Sequence, residues 1–377
     1  MHDLIVFGED LGGLPSSTQH LVKRLARNRK VLWINSIGLR QPGLNTKDIS
    51  RMYRKLFPHK EKVHTTSFSH VNYHNIIEVN LLTIPAPSST LARKLATEMM
   101  LHQLRPILDR LQLKTPILWV SLPTAVDICE HIDHSALVYY CGDDFSSLAG
   151  VDHHTVRRHE EKLTECADLI LVPSEKLKKT FPAVKTHLLP HGVDTELFAT
   201  PTIIADDFPC HDSKGIRCPI AGYYGSLSEW LDYELIEHAA TTLPDWNFVF
   251  IGPQMISTNC LPKRDNIHYL GTRAHHELPR YSQHWNVGIL PFKKNAQIES
   301  CNPLKLLEYL AAGQPVVSVE FPALSPYKEY VHTSNDNVEF VQALLLAKTS
   351  PRIPQHTVNG HSWDDRGQDL NWILESV

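Results

Sequence analysis

The stretch of this 377-residue chain best suited to chemistry on a ligand is SCNPLKLLEYLAAGQPVVS, residues 300–318. Asn302 is a helix-capping residue type. Pro303 suits a first helical position, where its fixed φ fits and its missing N–H costs little. Leu304, Leu307 and Ala311 recur at helical spacing as a buried stripe, and Gly313 is the residue type that ends helices. A helix start that follows a strand offers unpaired backbone N–H groups and the positive end of the helix dipole, which suits a phosphate. Lys305 puts a full positive charge in the first turn, against the dipole, and that favours a bound anion. Glu308, three residues on, projects from the same face, where a carboxylate accepts two hydroxyls of a ribose. One helix end thus has the means to grip the diphosphate and ribose of a nucleotide. The plainer alternative is an amphipathic helix on which Lys305 and Glu308 pair at the surface.

Other positions are candidates by their place in the pattern. Gly8, Gly12 and Gly13 follow an apolar run, where a glycine loop lets backbone approach a phosphate or sugar. The spacing of GEDLGG is not GxGxxG, so no dinucleotide fingerprint is present. Asp143 and Asp144 follow ALVYYC, and adjacent carboxylates there are candidates for a general base toward an acceptor hydroxyl, against helix capping or a solvated turn. The chain has no DxD, which argues against a metal-bridged diphosphate. The 23 histidines include no HExxH, and His153-His154 and His275-His276 are adjacent, so they read as surface and loop residues and no metal site is expected. Residues 46–62, TKDISRMYRKLFPHKEK, interleave Lys47, Arg51, Arg54, Lys55, Lys60 and Lys62 with Tyr53, Leu56 and Phe57. Such a segment is either a solvated helix face or a surface that rests on anionic lipid.

Short apolar runs alternate with amphipathic segments nearly throughout, the pattern of a parallel sheet with crossover helices. Strands are expected at 3–8, 30–36, 117–121, 136–141 and 167–174, with a helix opening near Ser16-Ser17 and a long one over 88–113 that contains Pro106. THLLPHGVD (186–194) closes this set. Residues 199–217, rich in Pro, Asp and small residues, read as a linker. A second series follows, with strands at 219–226, 247–252, 266–271, 286–292 and 314–321. Its helices are expected near 232–242, 275–285, 302–312 and 336–348, ahead of a final amphipathic helix. The expected organisation is a Rossmann-like domain over 1–198, the linker 199–217, a second Rossmann-like domain over 218–360, and a helix over 361–377 that returns to the first domain.

Several of these segments resemble one family. NPLKLLEYLAAGQPVVS is similar to the donor-binding helix of GT-B-fold glycosyltransferases, and PHGVD (190–194) to the PNGVD motif before that fold's domain crossing. ADLILVPSEKL, GYYGSLSEWLDYELI, DWNFVFIGP and NIHYLGTRAHHELPRYSQHWNVGILPF follow in that family's order. The first 135 residues match less specifically, but SSTQHLVKRLARNRKVLWINSIGLRQP resembles the start of bacterial family-4 enzymes of the exopolysaccharide and teichuronic-acid type.

The resemblance implies two doubly wound α/β domains facing each other across a cleft. It implies donor contacts from Gly12, Gly13, Gly225, Ser226, Thr272, Arg273, Asn302, Pro303, Leu304, Lys305 and Glu308, with Thr272 and Arg273 near the base. This chain departs from the pattern twice. Ser300, with Glu299 beside it, stands eight residues before Glu308, where the family usually has a glutamate on the transferred sugar. GSLSEWLD (225–232) carries neither the Arg nor the Lys that the family's loop gives to the diphosphate, a charge that Lys305 is placed to supply. Inversion and retention both stay open.

Composition agrees with an enzyme of this kind. With 42% hydrophobic and 21% charged residues the chain is globular, and its net charge of −4 argues against a nucleic-acid partner. Seven scattered cysteines without CxxC fit reduced thiols, and the absence of a signal peptide or membrane span leads us to expect a cytoplasmic protein, peripheral on the membrane if 46–62 touch lipid. The expected activity is metal-independent, hexosyltransferase-type transfer from a nucleoside-diphosphate sugar, without a further cofactor, to a hydroxyl on a lipid-linked or polysaccharide intermediate. Lys305 is the expected catalytic cation and Asp143 or Asp144 the expected base. The rivals are a nucleotide-sugar epimerase on the same fold, which would turn over donor without an acceptor, and a sugar-nucleotide-binding protein without turnover.

Overall fold

The computed structural model describes residues 1–13, 15–37, 75–84, 87, 89–145, 153–209, 218–257 and 260–376. The chain divides into two compact units, Met1–Pro190 with Arg366–Val377, and His191–Asp365.

The first unit holds a seven-stranded sheet in the order β3-β2-β1-β4-β5-β6-β7. Its strands are β1 (Leu4–Phe7), β2 (Val31–Ile34), β3 (Ile76–Val79), β4 (Ile117–Val120), β5 (Ala136–Tyr140), β6 (Leu169–Val172) and β7 (Thr186–Leu188). Every neighbouring pair is parallel. LIVF, VLWI, ILWV, ALVYY and LILV are buried at every position, as expected of strands covered on both faces. Ser16 caps the helix Ser17–Leu25 by accepting from the Gln19 N–H, and Ser89 caps Thr90–Leu111, which contains Pro106. Chain order reverses at β1, which has β2 on one side and β4 on the other, so its carboxyl edge is the crevice where ligands enter such sheets.

The second unit repeats the plan with six strands in the order β10-β9-β8-β11-β12-β13. They are β8 (Ile220–Tyr224), β9 (Asn247–Ile251), β10 (Ile267–Gly271), β11 (Val287–Leu290), β12 (Val316–Val319) and β13 (Val331–Ser334), again all parallel. Its core is rich in aromatic rings, with Tyr223, Phe248, Phe250, Trp285 and Tyr309 buried. Here the order reverses at β8, between β9 and β11.

The structure differs from the sequence expectation at several points. Division falls after Pro190, not after 198, because Val193, Phe198, Ala205 and Phe208 are buried in the second unit's core. Much of the expected linker is therefore packed: 199–209 belong to the second unit, and 210–217 lie outside the described residues. The single helix expected over 275–285 is instead a 3₁₀ turn, His275–Glu277, and a short helix, Pro279–Ser282, with Pro279 opening the second piece. The edge strands β3 (IIEV) and β13 (VHTS) were not anticipated. The last helix, Trp363–Glu375, passes into the first unit, where Arg29 Nη2 donates to Asn371 Oδ1 at 2.7 Å.

Candidate active site

At the carboxyl edge of β8, the chain turns through Gly225 with φ of 135°, a conformation that side chains other than glycine rarely adopt. Gly225 N–H donates to the Ile251 carbonyl at 2.8 Å, and Leu227 N–H to the Pro253 carbonyl at 2.9 Å, so the loop is tied to the one after β9. The helix after β11 runs from Leu304 to Ala311. Its N-cap is Pro303 with no side-chain cap, which corrects the expectation that Asn302 caps and Pro303 opens the helix. With Pro303 extended (φ −78°, ψ 105°), the first-turn N–H groups get no capping oxygen from this side chain. Gly313 ends the helix as expected.

Lys305 runs from this helix start over the β8 loop. Its Nζ stands 5.8 Å from the centre of the Tyr223 ring, a cation–π distance. Gly225, half-buried Ser226, the helix start and the lysine charge thus meet at the point where chain order reverses. Ser300 is buried and Glu299 exposed in the short helix Ala296–Ser300 that precedes it.

Glu308 is not a surface residue. It is 4% exposed, and among the described residues it makes no ion pair with Lys305, so the surface pairing drawn from spacing alone is wrong. Its Oε1 instead accepts from Nε2 of His275 at 2.8 Å. Burial disfavours a charge on His275, but the bond to Glu308 and its negative charge outweigh this and raise the imidazole above its ordinary value. Phe198 meets His275 edge-on at 5.4 Å, and Phe198, Tyr224, Trp285 and Tyr309 form a chain of ring contacts behind the pair.

His191 opens the second unit next to Gly192, whose close approach to Trp363 leaves no room for a Cβ, which would come 2.9 Å from the Trp363 Cα. Val193 N–H donates to the His361 carbonyl at 2.8 Å and Trp363 N–H to Val193 at 3.2 Å, pairing the segment that enters this unit with the one that leaves it. Burial first, and then the charge of Lys305, push the His191 imidazole down to about 4. The histidine of PHGVD is thus held neutral beside the lysine.

The other expected donor residues are placed differently. Thr272 is exposed, and Arg273 is tied up, with Nε donating to Tyr281 Oη at 2.9 Å and Nη2 to Asp207. Arg273 therefore braces the 205–208 segment. In the first unit Gly12 and Gly13 lie in the loop after β1: Gly12 N–H donates to Gln19 Oε1 at 3.3 Å and Gly13 N–H to the Asp10 carbonyl at 3.1 Å. Asp143 is exposed and Asp144 half-buried just beyond β5. Glu9 has one carboxyl oxygen buried without a hydrogen-bond partner among the described residues; burial, and then Asp10, push its carboxyl up. The lipid-facing candidate 46–62 lies outside the described residues. No group of three or more metal-ligating side chains occurs among the described residues, and no described helix is long and apolar enough to cross a membrane.

Reasoning from sequence missed His275, His191 and Glu9. His275 and Glu308 are 33 positions apart, and no local spacing joins them. For His191 a signal did exist, because it stands where the resembling motif has asparagine.

Residues 219–347 match the family model described as glycosyl transferases group 1. The chain is 28% identical over 272 residues to the "Putative teichuronic acid biosynthesis glycosyltransferase TuaH" of Bacillus subtilis (strain 168), a match that spans 64% of this chain and 67% of that one. Among solved structures, Anabaena Alr3699/HepE in complex with UDP-glucose superimposes with a TM-score of 0.66 at 13% identity, over 100% of both chains. The α,α-trehalose 6-phosphate synthase of Burkholderia multivorans superimposes with a TM-score of 0.62 at 14% identity, over 100% of this chain and 99% of that one. With a glycosyl transferases group 1 domain at the second sheet and the two-sheet architecture of these neighbours, the chain is a GT-B-fold glycosyltransferase.

Proposed function

We propose that the enzyme transfers a sugar from a nucleoside-diphosphate donor to a hydroxyl of a lipid-linked or polysaccharide intermediate in cell-surface glycan synthesis. The observation that carries this reading is the joining, at the edge of β8, of a lysine over a glycine turn with a buried glutamate one helical turn further on. The first-turn N–H groups and Lys305 take the diphosphate, and Glu308 takes the ribose. As the acceptor oxygen bonds to the anomeric carbon, the bond from that carbon to the phosphate oxygen breaks and negative charge grows on the diphosphate. Lys305 and the helix N–H groups stabilise that charge. The acceptor proton passes to a carboxylate, for which Asp143, Asp144 and the poorly solvated Glu9 are the candidates. The UDP-glucose complex of HepE and the teichuronic acid name of TuaH support the donor class and the cell-surface setting.

The experiment is a calorimetric screen of nucleoside diphosphates and their sugars on wild type and Glu308→Ala. Binding by wild type and a loss of about 1.5–3 kcal/mol in the variant are expected. Equal affinity in a folded variant would remove Glu308 from the site. For residues 46–62 the reading rests on the sequence, and predicts sedimentation with anionic vesicles at low salt and release at high salt. Equal binding to neutral vesicles would exclude it.

A further inference from the structure

A carboxylate in an apolar setting is costly unless paired, and Glu308 stands against a wall of aromatic rings. Its hydrogen bond to His275 uses one oxygen only. Burial first, and then the neighbouring charge of Glu308, raise the Tyr224 hydroxyl well above its ordinary value. Glu308 is therefore held from one side by a ring that is itself fixed edge-on by Phe198. Such a carboxylate cannot turn to suit different ligands.

Resting on the ribose reading of Glu308 given above, we infer that His275 is a positioning residue: by holding Oε1 it turns the rest of the carboxylate toward both ribose hydroxyls, and so makes the enzyme select ribonucleoside over 2′-deoxyribonucleoside diphosphate donors. The chemistry follows from the acceptor count. An ionised carboxylate only accepts, so the imidazole nitrogen at Oε1 is the donor, and the other lone pairs are left for a ligand that donates twice. A ribose does this through its 2′ and 3′ hydroxyls, whereas a deoxyribose has one of the two. A site built around a fixed acceptor rejects the analogue that lacks the hydroxyl, because the buried acceptor is then left unmatched. The substrate class is thus narrowed to sugars carried on ribonucleotides, and thymidine-linked sugars are disfavoured.

The test measures, on the full chain, the ratio of dissociation constants for UDP and 2′-deoxy-UDP, and likewise for the guanosine and adenosine pairs. The proteins are wild type, His275→Gln, His275→Phe and Glu308→Gln, each checked for folding by circular dichroism. Wild type is expected to favour the ribo form of its best nucleotide by about tenfold or more. His275→Phe keeps the ring against Phe198 without the donor, and its ratio should fall toward one. Glutamine, whose amide can reach the same oxygen, should keep most of the preference. If Phe is not tolerated, His275→Asn, too short to reach Oε1, gives the same reading. A folded His275→Phe or His275→Asn with the full wild-type preference would overturn the inference while leaving Glu308 in place. A wild type without preference, or a Glu308→Gln that keeps it, would instead overturn the ribose reading on which the inference rests.

Discussion

The stem of Lys305 fills the space beside Gly225: a Cβ built there would stand 2.1 Å from Lys305 Cε and 2.9 Å from its Nζ. The turn after β8 and the cation of the following helix are therefore one device.

Gly225→Ala should injure both parts. The residue sits at φ of 135°, and a non-glycine side chain there costs about 1–3 kcal/mol in backbone strain. The new methyl also displaces Lys305. We expect a lower Tm by thermal unfolding and weaker nucleoside diphosphate binding in the same variant. An alanine variant with unchanged Tm and affinity would show that the lysine does not need this turn.

His191 makes stability depend on pH. Its folded value near 4 lies below the ordinary 6.5, so between these the unfolded chain binds a proton that the folded chain does not. Stability should accordingly fall as pH drops from about 6.5 toward 4, by about 1–3 kcal/mol at 1.36 kcal/mol per unit. His191→Asn should flatten that slope, seen by urea denaturation at several pH values. An identical slope in the variant would assign the effect to other groups.

In the first unit, Asp127 collects Arg93 in a two-point contact of 2.5 and 2.6 Å, Lys162 at 3.0 Å and the buried His159 at 3.5 Å. Burial alone would raise its carboxyl, but the bonds from His159, Arg93 and Lys162 outweigh it and hold the carboxyl far below its usual range. Because the folded value is depressed, this stabilisation is present above the unfolded value and is lost as pH falls below it. Asp127→Ala strands Arg93 and Lys162 and should cost about 3–5 kcal/mol. Chemical denaturation at neutral pH measures it, and a loss under 1 kcal/mol would mean that solvent already screens the cluster.

The first sheet was legible because LIVF, VLWI, ILWV and LILV are apolar at every position, a pattern that suits covered parallel strands. Strands β3 and β13 lack it: IIEV is an edge strand with a glutamate, and VHTS is polar at all but its first position. The helix 304–311 was visible from its stripe and Gly313, but its start was misread, since a capping residue type was present one position before a proline that serves as the cap itself. Lys305 and Glu308 could be found by their spacing. Their surroundings could not. The burial of Glu308, its bond to His275 and the lysine's seat on Gly225 depend on strand order, which places the loops after β8 and β10 against that helix. The contacts of Arg273 with Asp207 and Tyr281 were hidden for the same reason, by sequence separation.

The account turns on whether the Lys305 charge meets a leaving diphosphate, and the most direct measurement is steady-state turnover alongside calorimetric donor binding for wild type, Lys305→Ala and Lys305→Arg. Loss of a group that acts as charge develops should lower kcat by about 10²-fold or more in the alanine variant. Donor affinity should fall less, since the helix N–H groups still hold the ground-state phosphates. Arginine should restore only part of the rate, because a planar fork does not replace a compact ammonium. Near-normal turnover in a folded Lys305→Ala would contradict the account.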